Sequence, residues 1–205
     1  MKIFSYDFPQ GQFSTRILET EQHYFTVKQV HGNKIFEITS NNLNYQTNVE
    51  ADGLLVKYKN FQSKSKLPII AIKTADCLPI LVIGKYGYAL LHAGWKGIQQ
   101  EIINQPIIQS ITPITFFIGP HICSDCYEVN PEFITEFPNS VNFTKSDNKI
   151  LFNLSQETKL QIEKSFPDCE IIISDICTFT TSNFNSYRES KTDLRNINIF
   201  THFSC

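Results

Sequence analysis

The sequence predicts an α+β fold in which strands outnumber helices. Most apolar segments are short and end at Gly, Pro or Asn, which is typical of strands. Only two segments repeat apolar residues with helical spacing. Strands and helices do not alternate regularly, which disfavours a repeated βαβ architecture. A chain of 205 residues fits one domain, which we expect to span residues 1–205.

The apolar segments give the order of the predicted elements. Strands are predicted at residues 24–30, 34–39, 52–58, 67–75, 79–84, 88–94, 114–119 and 170–174. A first helix is predicted over 95–103, after Gly94, and a second over 155–166 behind a cap at Asn153. Residues 41–50 form a predicted polar loop, and 138–149 are a second polar stretch.

Composition excludes several classes of function. The 18 Lys and Arg residues nearly balance 20 Asp and Glu residues and form no basic block, so nucleic acid is not an expected partner. No apolar run is long enough to span a bilayer, and the N-terminus reaches Asp7 and Pro9 before a signal-peptide core could form. We therefore expect a cytoplasmic protein whose six cysteines are reduced thiols.

Three strand ends each carry a side chain that can bind a metal. They contain His31 in Gln-Val-His-Gly, Cys77 in Asp-Cys-Leu-Pro and His92 in His-Ala-Gly-Trp. Two imidazoles and one thiolate would leave the fourth position of a tetrahedral zinc ion open to water or substrate. The three residues are too far apart for a local zinc finger, so the fold must bring them together. Taken singly, each could also be an ordinary buried or hydrogen-bonded residue.

A second candidate is the Cys123-x-x-Cys126 motif that follows a predicted strand. It could be a redox pair or one half of a zinc ribbon. The ribbon would need a second such pair, and Cys169 and Cys177 are too far apart along the chain to form one. The redox interpretation favours a helix after the motif, and none is predicted. Two unlinked thiols in a loop are the third interpretation, with Asp125 and Glu128 as possible acid or base groups nearby.

Four cations lie in or near these segments. Lys73 and Lys96 flank the candidate ligands, while Arg188 and Arg195 belong to the C-terminal segment. Such side chains in a pocket would suit phosphate or another oxyanion. Charges solvated at the surface are the alternative.

Six motifs occur in an order that resembles a known family. They are QVHG (29–32), ADGLLV (51–56), KTADCLPILV (73–82), LHAGWKG (91–97), IGPHICSDCYEV (118–129) and SYRESKTDLRN (186–196). Together they resemble the YfiH-like family, described both as laccase-domain or multicopper polyphenol oxidase proteins and as purine nucleoside phosphorylases. The resemblance runs from about residue 24 to residue 200.

The resemblance implies a fold, a metal and a set of activities. By position in the motifs, it implies that His31, Cys77 and His92 bind zinc. The implied fold has mixed sheets packed face to face between helices, in α/β/β/α layers, and is similar to the catalytic domain of cytotoxic necrotizing factor, a Cys/His hydrolase. The implied activities are phosphorolysis of adenosine, inosine and methylthioadenosine, and deamination of adenosine.

The chain also departs from the family pattern. The region before QVHG is shorter than usual and keeps only residues 13–16 of the FSTR element. Lys96 replaces the usual Arg of HAGWRG, and the usual Arg-Arg-Asp near the C-terminus is Arg188-Glu189-Ser190. Loss of arginine forks weakens bidentate binding of oxyanions. The predicted metal ligands are unaffected.

The histidine count bears on the older family description. A four-copper laccase uses about ten His ligands, and a blue-copper centre adds a weak axial ligand that is often Met. This chain has five His, and its single Met is Met1, so such a cluster cannot be built. Copper bound in place of zinc at the three-residue site could still support slow polyphenol oxidation.

The leading hypothesis is a zinc-dependent enzyme acting on purine nucleosides, by phosphorolysis, by deamination of adenosine, or by both. In deamination, Asp52 or Asp76 would shuttle the proton. In phosphorolysis, Arg188 with Lys73 or Lys96 would hold the phosphate.

Two alternatives remain open. In a hydrolase, Cys77 would be the nucleophile and His92 its base. A non-catalytic protein would bind purines and zinc without turnover. The sequence does not define the oligomeric state.

Overall fold

The structure consists mainly of β-strands, as the short apolar runs predict. It is a computed structural model that describes residues 1–17, 23–42, 46–62, 67–146 and 148–203. The strands are β1 (Lys2–Phe8), β2 (Gly11–Arg16), β3 (Thr26–Lys28), β4 (Ile35–Ile38), β5 (Gln46–Glu50), β6 (Gly53–Lys57), β7 (Ile70–Thr74), β8 (Leu78–Gly84), β9 (Gly87–Ala93), β10 (Pro113–Ile118), β11 (Glu128–Val129), β12 (Phe143–Ser146), β13 (Lys149–Phe152), β14 (Glu170–Ile173) and β15 (Asn196–His202). The helices are α1 (Trp95–Gln99), α2 (Pro106–Gln109), α3 (Leu154–Ser165) and α4 (Tyr187–Ser190).

Two sheets form the body of the fold. The larger has six strands in the order β14-β10-β8-β9-β6-β4, antiparallel at its centre and parallel at both edges. The smaller is antiparallel, with the order β1-β2-β15-β7. A three-stranded sheet, β11-β13-β12, and the parallel pair β3-β5 complete the strands of the described residues. The predicted α+β class with mixed sheets is confirmed.

The two main sheets pack face to face. Alternate residues of the central strands point to opposite faces. In β6, Leu54 and Val56 join Phe13 and Phe200 of the small sheet in one buried cluster, whereas Leu55 joins the cluster on the opposite face. Because both faces of β6, β8 and β9 are buried, these strands have continuous apolar sequences rather than alternating ones.

Helical residues cover the outer face of the large sheet. Ile98 of α1, Ile108 of α2 and Ile162 of α3 belong to the same buried cluster as Leu55. The helix α3 begins as predicted, because the Asn153 side chain accepts a hydrogen bond of 2.9 Å from the backbone N–H of Gln156. None of the helices in the described residues is long and apolar enough to cross a membrane.

The other predicted helix is shorter than expected. The helix α1 ends at Gln99, and a separate 3₁₀ turn covers Ile102–Asn104. Between them, Glu101 has φ of 55°, a left-handed conformation that cannot continue an α-helix. The single helix predicted over 95–103 is therefore wrong in its C-terminal half.

Both polar stretches contain strands that the sequence pattern does not predict. Gln46–Glu50 forms β5, while residues 43–45 of that predicted loop lie outside the described residues. In the second stretch, β12 pairs with β13, and the rings of Phe143 and Phe152 lie 4.6 Å apart. A small number of aromatic contacts is enough to stabilise the short strands β12 and β13. Polar composition alone therefore does not exclude a strand.

The register of the central strands sets the position of the candidate site. Gly53 of β6 pairs with Leu91 of β9, and Leu78 of β8 pairs with Ala93. Residues that precede β6 and β8 therefore lie at the same end of the central strands as the last residues of β9. Asp52, Cys77 and His92 lie at this end of the sheet.

Candidate metal centre

The fold brings His31, Cys77 and His92 together at one end of the central strands of the large sheet. His31 lies in the loop after β3, Cys77 in the turn between β7 and β8, and His92 in β9. Their potential ligand atoms all lie within 4.8 Å of one another, and the two imidazole centroids are 4.7 Å apart. Two imidazoles and one thiolate suit a borderline-soft ion such as Zn²⁺. The three side chains could therefore hold a metal ion.

Asp52 lies behind this group and is fully buried. Its Oδ1 accepts a hydrogen bond from Nδ1 of His92 at 2.8 Å, which leaves Nε2 as the ring atom available to a metal. The same carboxylate accepts backbone N–H bonds from His31 at 2.9 Å and from Gly32 at 2.7 Å. Asp52 therefore orients one histidine and holds the loop that carries the other.

The backbone near the ligands is tightly constrained. His31 has φ of 61°, in the left-handed region, and the hydrogen bonds to Asp52 hold it there. A Cβ atom added to Gly94 would lie 3.1 Å from Sγ of Cys77. A side chain at position 94 would therefore crowd the sulfur, which explains the glycine that precedes α1.

Cys77 and His92 each shift the pKa of the other so that the charged form is favoured. Burial by itself would raise the pKa of Cys77, but the charge of His92 and hydrogen bonds from both histidines outweigh it and lower the pKa to about 6. For His92, burial is outweighed by the Cys77 thiolate and by Asp52, and the pKa rises to about 9. The site thus presents a thiolate at neutral pH, the form required of a metal ligand or a nucleophile.

The carboxylate of Asp76, the other predicted proton shuttle, bonds to two residues of the C-terminal part of the chain. Its Oδ1 accepts a bond of 2.8 Å from Oγ1 of Thr178, and its Oδ2 accepts one of 2.7 Å from the backbone N–H of Arg188. It also has φ of 84°, which Asp tolerates better than most residues. These contacts support a positioning role, in which Asp76 holds the C-terminal segment against the Cys77 turn.

Two cavities open on either side of the three ligands. The larger, of about 640 Å³, is lined by His92 and by two of the predicted phosphate-binding residues, Lys73 and Arg195. The smaller, of about 400 Å³, is lined by Trp95, Tyr127 and Lys96, among others. His31 and Cys77 line both cavities. His31 and Cys77 thus lie between a larger cavity that contains Lys73 and Arg195 and a smaller one that contains Trp95, Tyr127, Lys96 and Asp76.

The four predicted phosphate-binding cations do not lie together. Arg188 lines neither cavity, because its Nη1 donates to the backbone oxygen of Glu128 at 2.7 Å and its guanidinium lies 5.2 Å from the Tyr127 ring centroid. The Nη1 atom of Arg195 donates to the Thr192 oxygen at 2.8 Å. These positions therefore do not favour a phosphate site that combines Arg188 with Lys73.

Several residues that support the site were not predicted from sequence. The Gln29 amide donates to the backbone oxygen of Lys73 and accepts from its N–H, each at 2.7 Å. This pair caps the open edge of β7 and fixes the loop before His31. Trp95 and Tyr127 are also missed. Their place in the motifs beside His92 and Cys126 is the signal that could have found them.

A second group of possible ligands consists of Cys123, Cys126 and Cys177, whose sulfurs also lie within 4.8 Å of one another. The two acidic residues next to the motif point elsewhere. Glu128 forms an ion pair of 3.3 Å with Lys149, and Asp125 accepts a hydrogen bond from Ser124. Neither lines the two cavities of the first site.

Known proteins match this chain over most of its length. The family model described as multi-copper polyphenol oxidoreductase laccase matches residues 12–198. "Purine nucleoside phosphorylase Cj1217c" of Campylobacter jejuni is 33% identical over 184 residues, which is 83% of this chain and 74% of the relative. "Purine nucleoside phosphorylase" of Aquifex aeolicus is 29% identical over 72% of this chain and 68% of its own length.

Two further matches extend the comparison. "Adenosine deaminase RL5", from an unknown prokaryotic organism, is 35% identical over 77 residues, covering 34% of this chain and 29% of the relative. The crystal structure of YlmD from Geobacillus stearothermophilus has a TM-score of 0.73 at 24% identity, covering 88% of this chain and 73% of that one. This likeness shows the fold. Because the family model spans nearly the whole chain, the chain belongs to the multi-copper polyphenol oxidoreductase laccase family, the YfiH-like group that its motifs resemble.

Proposed function

We propose that this chain is a zinc-dependent cytoplasmic enzyme that acts on purine nucleosides, by phosphorolysis, by deamination of adenosine, or by both. The single observation that carries the proposal is the position of His31, Cys77 and His92 at the boundary of two cavities of different chemistry. The names of the relatives, phosphorylases and one adenosine deaminase, support the substrate class.

The two cavities suit the two parts of a phosphorolysis reaction. Lys73 and Arg195 give the larger cavity positive charge, which suits inorganic phosphate. Trp95 and Tyr127 give the smaller one aromatic surface, which suits a purine. A nucleoside that reaches across the boundary would present its ribose between them. An oxygen of phosphate could then bond to C1′ as the bond from C1′ to the purine nitrogen breaks.

The metal ligands and Asp52 have separate roles in this proposal. Zinc, when bound by His31, Cys77 and His92, supplies Lewis acidity and lowers the pKa of water, as hydrolytic deamination requires. Asp52 touches His92 and the His31 loop rather than either cavity, so we assign it as a positioning residue. Its buried carboxylate also balances the charge of the site. Burial acts to raise its pKa, but hydrogen bonds from His92 and the Gly32 amide outweigh this and lower it.

The proposal is tested by metal analysis together with a nucleoside screen. Purified protein is assayed with adenosine, inosine and methylthioadenosine, with and without phosphate, before and after chelation. Release of free base only with phosphate indicates phosphorolysis, and inosine formed without phosphate indicates deamination. Absence of both products from zinc-replete protein would refute the proposal. Purine binding without turnover would instead support the non-catalytic alternative.

A second candidate function rests on the proximity of Cys77 and His92. The pKa of Cys77 is lowered to about 6 and that of His92 is raised to about 9, and Asp52 holds the imidazole from behind. This is the arrangement of a cysteine hydrolase, with nucleophile, base and orienting acid. The two functions respond oppositely to zinc, because the metal would occupy the nucleophilic sulfur. Activity that rises on chelation and is inhibited by zinc would favour the hydrolase.

A further inference from the structure

Three cysteines outside the first site also converge. Cys123 and Cys126 lie at either end of a 3₁₀ turn, where the N–H of Cys126 bonds to the Cys123 oxygen at 3.2 Å. Cys177 lies in a separate segment, which is connected to the segment before Cys123 by a β-bridge between His121 and Cys177. The three sulfurs lie within 4.8 Å of one another. A local turn and a distant segment thus deliver three soft donors to one point.

This arrangement fits a thiophilic metal ion better than a disulfide. With Zn–S bonds of about 2.3 Å, tetrahedral geometry separates the sulfurs by about 3.8 Å, which is inside the observed limit. A disulfide could join only two of the three thiols and would leave the third unpaired. One metal ion would use all three.

The surroundings of Cys177 also suit a bound thiolate. It is 7% exposed, and its Sγ accepts a hydrogen bond of 3.2 Å from the backbone N–H of Cys123. Backbone N–H groups directed at sulfur are the usual outer contacts of metal-bound thiolates. Cys123 and Cys126 are half-exposed, so the fourth coordination position would be open to water or another small ligand.

We infer that Cys123, Cys126 and Cys177 bind a second metal ion, a thiophilic divalent cation such as Zn²⁺, distinct from the one at His31, Cys77 and His92. Binding replaces the thiol protons, which are released to solvent as the sulfurs coordinate. None of the three cysteines lines the two cavities of the first site, so the second ion would lie outside the space that we assign to substrate.

The position of the second site indicates what it would stabilise. Thr178, next to Cys177, bonds to the carboxylate of Asp76, and the N–H of Ile122 bonds to the backbone oxygen of Asp76 at 3.1 Å. Both segments that supply the three sulfurs therefore also hold the residue before Cys77. A metal ion between them would link these segments and fix the Cys77 turn.

The experiment compares the zinc content of purified variants by elemental analysis. We expect two zinc ions per chain in the wild type, one in Cys77→Ser, and one in Cys123→Ser and in Cys177→Ser. Cys169→Ser is the matched control, because Cys169 belongs to neither group, and it should keep two. Zinc content unchanged in both Cys123→Ser and Cys177→Ser would overturn the inference.

Alkylation of the wild-type protein gives a second test that does not depend on folding of the variants. Without chelator, Cys123 and Cys126 should be protected although half-exposed, and chelation should raise their rate of modification by about tenfold or more. Equal rates before and after chelation, or a Cys123–Cys126 disulfide in the purified protein, would contradict a bound metal. Because this readout does not involve nucleosides, it is independent of the proposed enzyme activity.

Discussion

The two groups of possible metal ligands differ in how the chain builds them. His31, Cys77 and His92 come from three separate segments, each at the end of a strand, with Asp52 buried behind them. In the group of Cys123, Cys126 and Cys177, two ligands come from one turn and no imidazole contributes. Yet in both groups the ligand atoms lie within 4.8 Å of one another.

The two groups also differ in the space beside them. His31 and Cys77 line both cavities and His92 lines the larger one, whereas the three cysteines line neither of them. A reaction site needs space for substrate, while a structural ion needs only its ligands. The following predictions test this distinction between the two groups.

The largest effect is expected from Cys77→Ala. Loss of the sulfur removes one ligand of three, so the first site should lose its metal, and nucleoside turnover should fall by at least about a thousandfold. Zinc content and the rate of base or inosine release measure the two effects. Cys169→Ala is the control, expected to keep wild-type rates since its sulfur bonds to the Pro113 oxygen in another part of the fold. Full zinc content in Cys77→Ala would show that Cys77 is not a metal ligand.

Asp52→Asn should weaken metal binding at the first site without removing a ligand. Loss of an outer-shell partner typically lowers metal affinity by about 10- to 100-fold. Competition with a chelator measures the affinity, and thermal unfolding shows whether the variant remains folded. Because Asp52 contacts only the first group, the cysteines at 123, 126 and 177 should keep their protection from alkylation. A folded variant with unchanged metal affinity would show that Asp52 does not position the metal ligands.

The pair Lys73→Gln and Lys96→Gln separates the two cavities. Lys73 lines the larger cavity, so its loss should raise the KM for phosphate by about tenfold, the cost of one charge-assisted hydrogen bond. Lys96 lies over Trp95, 5.5 Å from the ring centroid in the smaller cavity, so its loss should raise the KM for nucleoside instead. Steady-state kinetics with each substrate varied would distinguish them. The same effect from both variants would argue against separate subsites.

The smallest effect concerns the pH dependence of Cys77 alkylation in metal-free protein. A pKa of about 6 makes the thiolate the minor form below pH 6 and the major form above it. The alkylation rate should therefore reach half its plateau near pH 6 and rise only about twofold above that. Burial raises the pKa of Cys169, so its rate should continue to increase at alkaline pH. Mass spectrometry of the labelled peptides measures both cysteines in one sample.

A midpoint for Cys77 near that of Cys169 would show that the thiolate is not stabilised by His92. Zinc should suppress labelling of Cys77, because the same electron pair binds the metal.

Much of the fold follows from local pattern. The central strands β6, β8 and β9 are buried on both faces, so their continuous apolar runs identify them. Asn153 identifies the start of α3 because its cap is a contact between residues close in sequence. In the small sheet only β7 is predicted, and β1, β2 and β15 are missed. The strands β5 and β12 are also missed, because their sequences are polar and they are strands through pairing with β3 and β13.

The candidate site, like the fold, is predicted only in part from the sequence. The ordered motifs are enough to select His31, Cys77 and His92, and the fold brings these three together. The acidic residues cannot be assigned in this way. Asp52 precedes β6 and Asp76 precedes Cys77, but the first bonds to His92 and the second to Thr178 and Arg188. No sequence spacing distinguishes these two environments.

The α+β class and the central strands depend on residue type and local order, so the amino-acid sequence is sufficient to predict them. The three candidate ligands are selected by the resemblance of the ordered motifs to a known family, because their spacing alone leaves other interpretations open. Which side chains meet depends instead on the folded chain. Strand register placed Asp52 beside His92, and chain topology brought Cys177 to the Cys123 turn. Contacts between residues distant in sequence depend on how the sheets pack, and the chemistry of a site depends on those contacts.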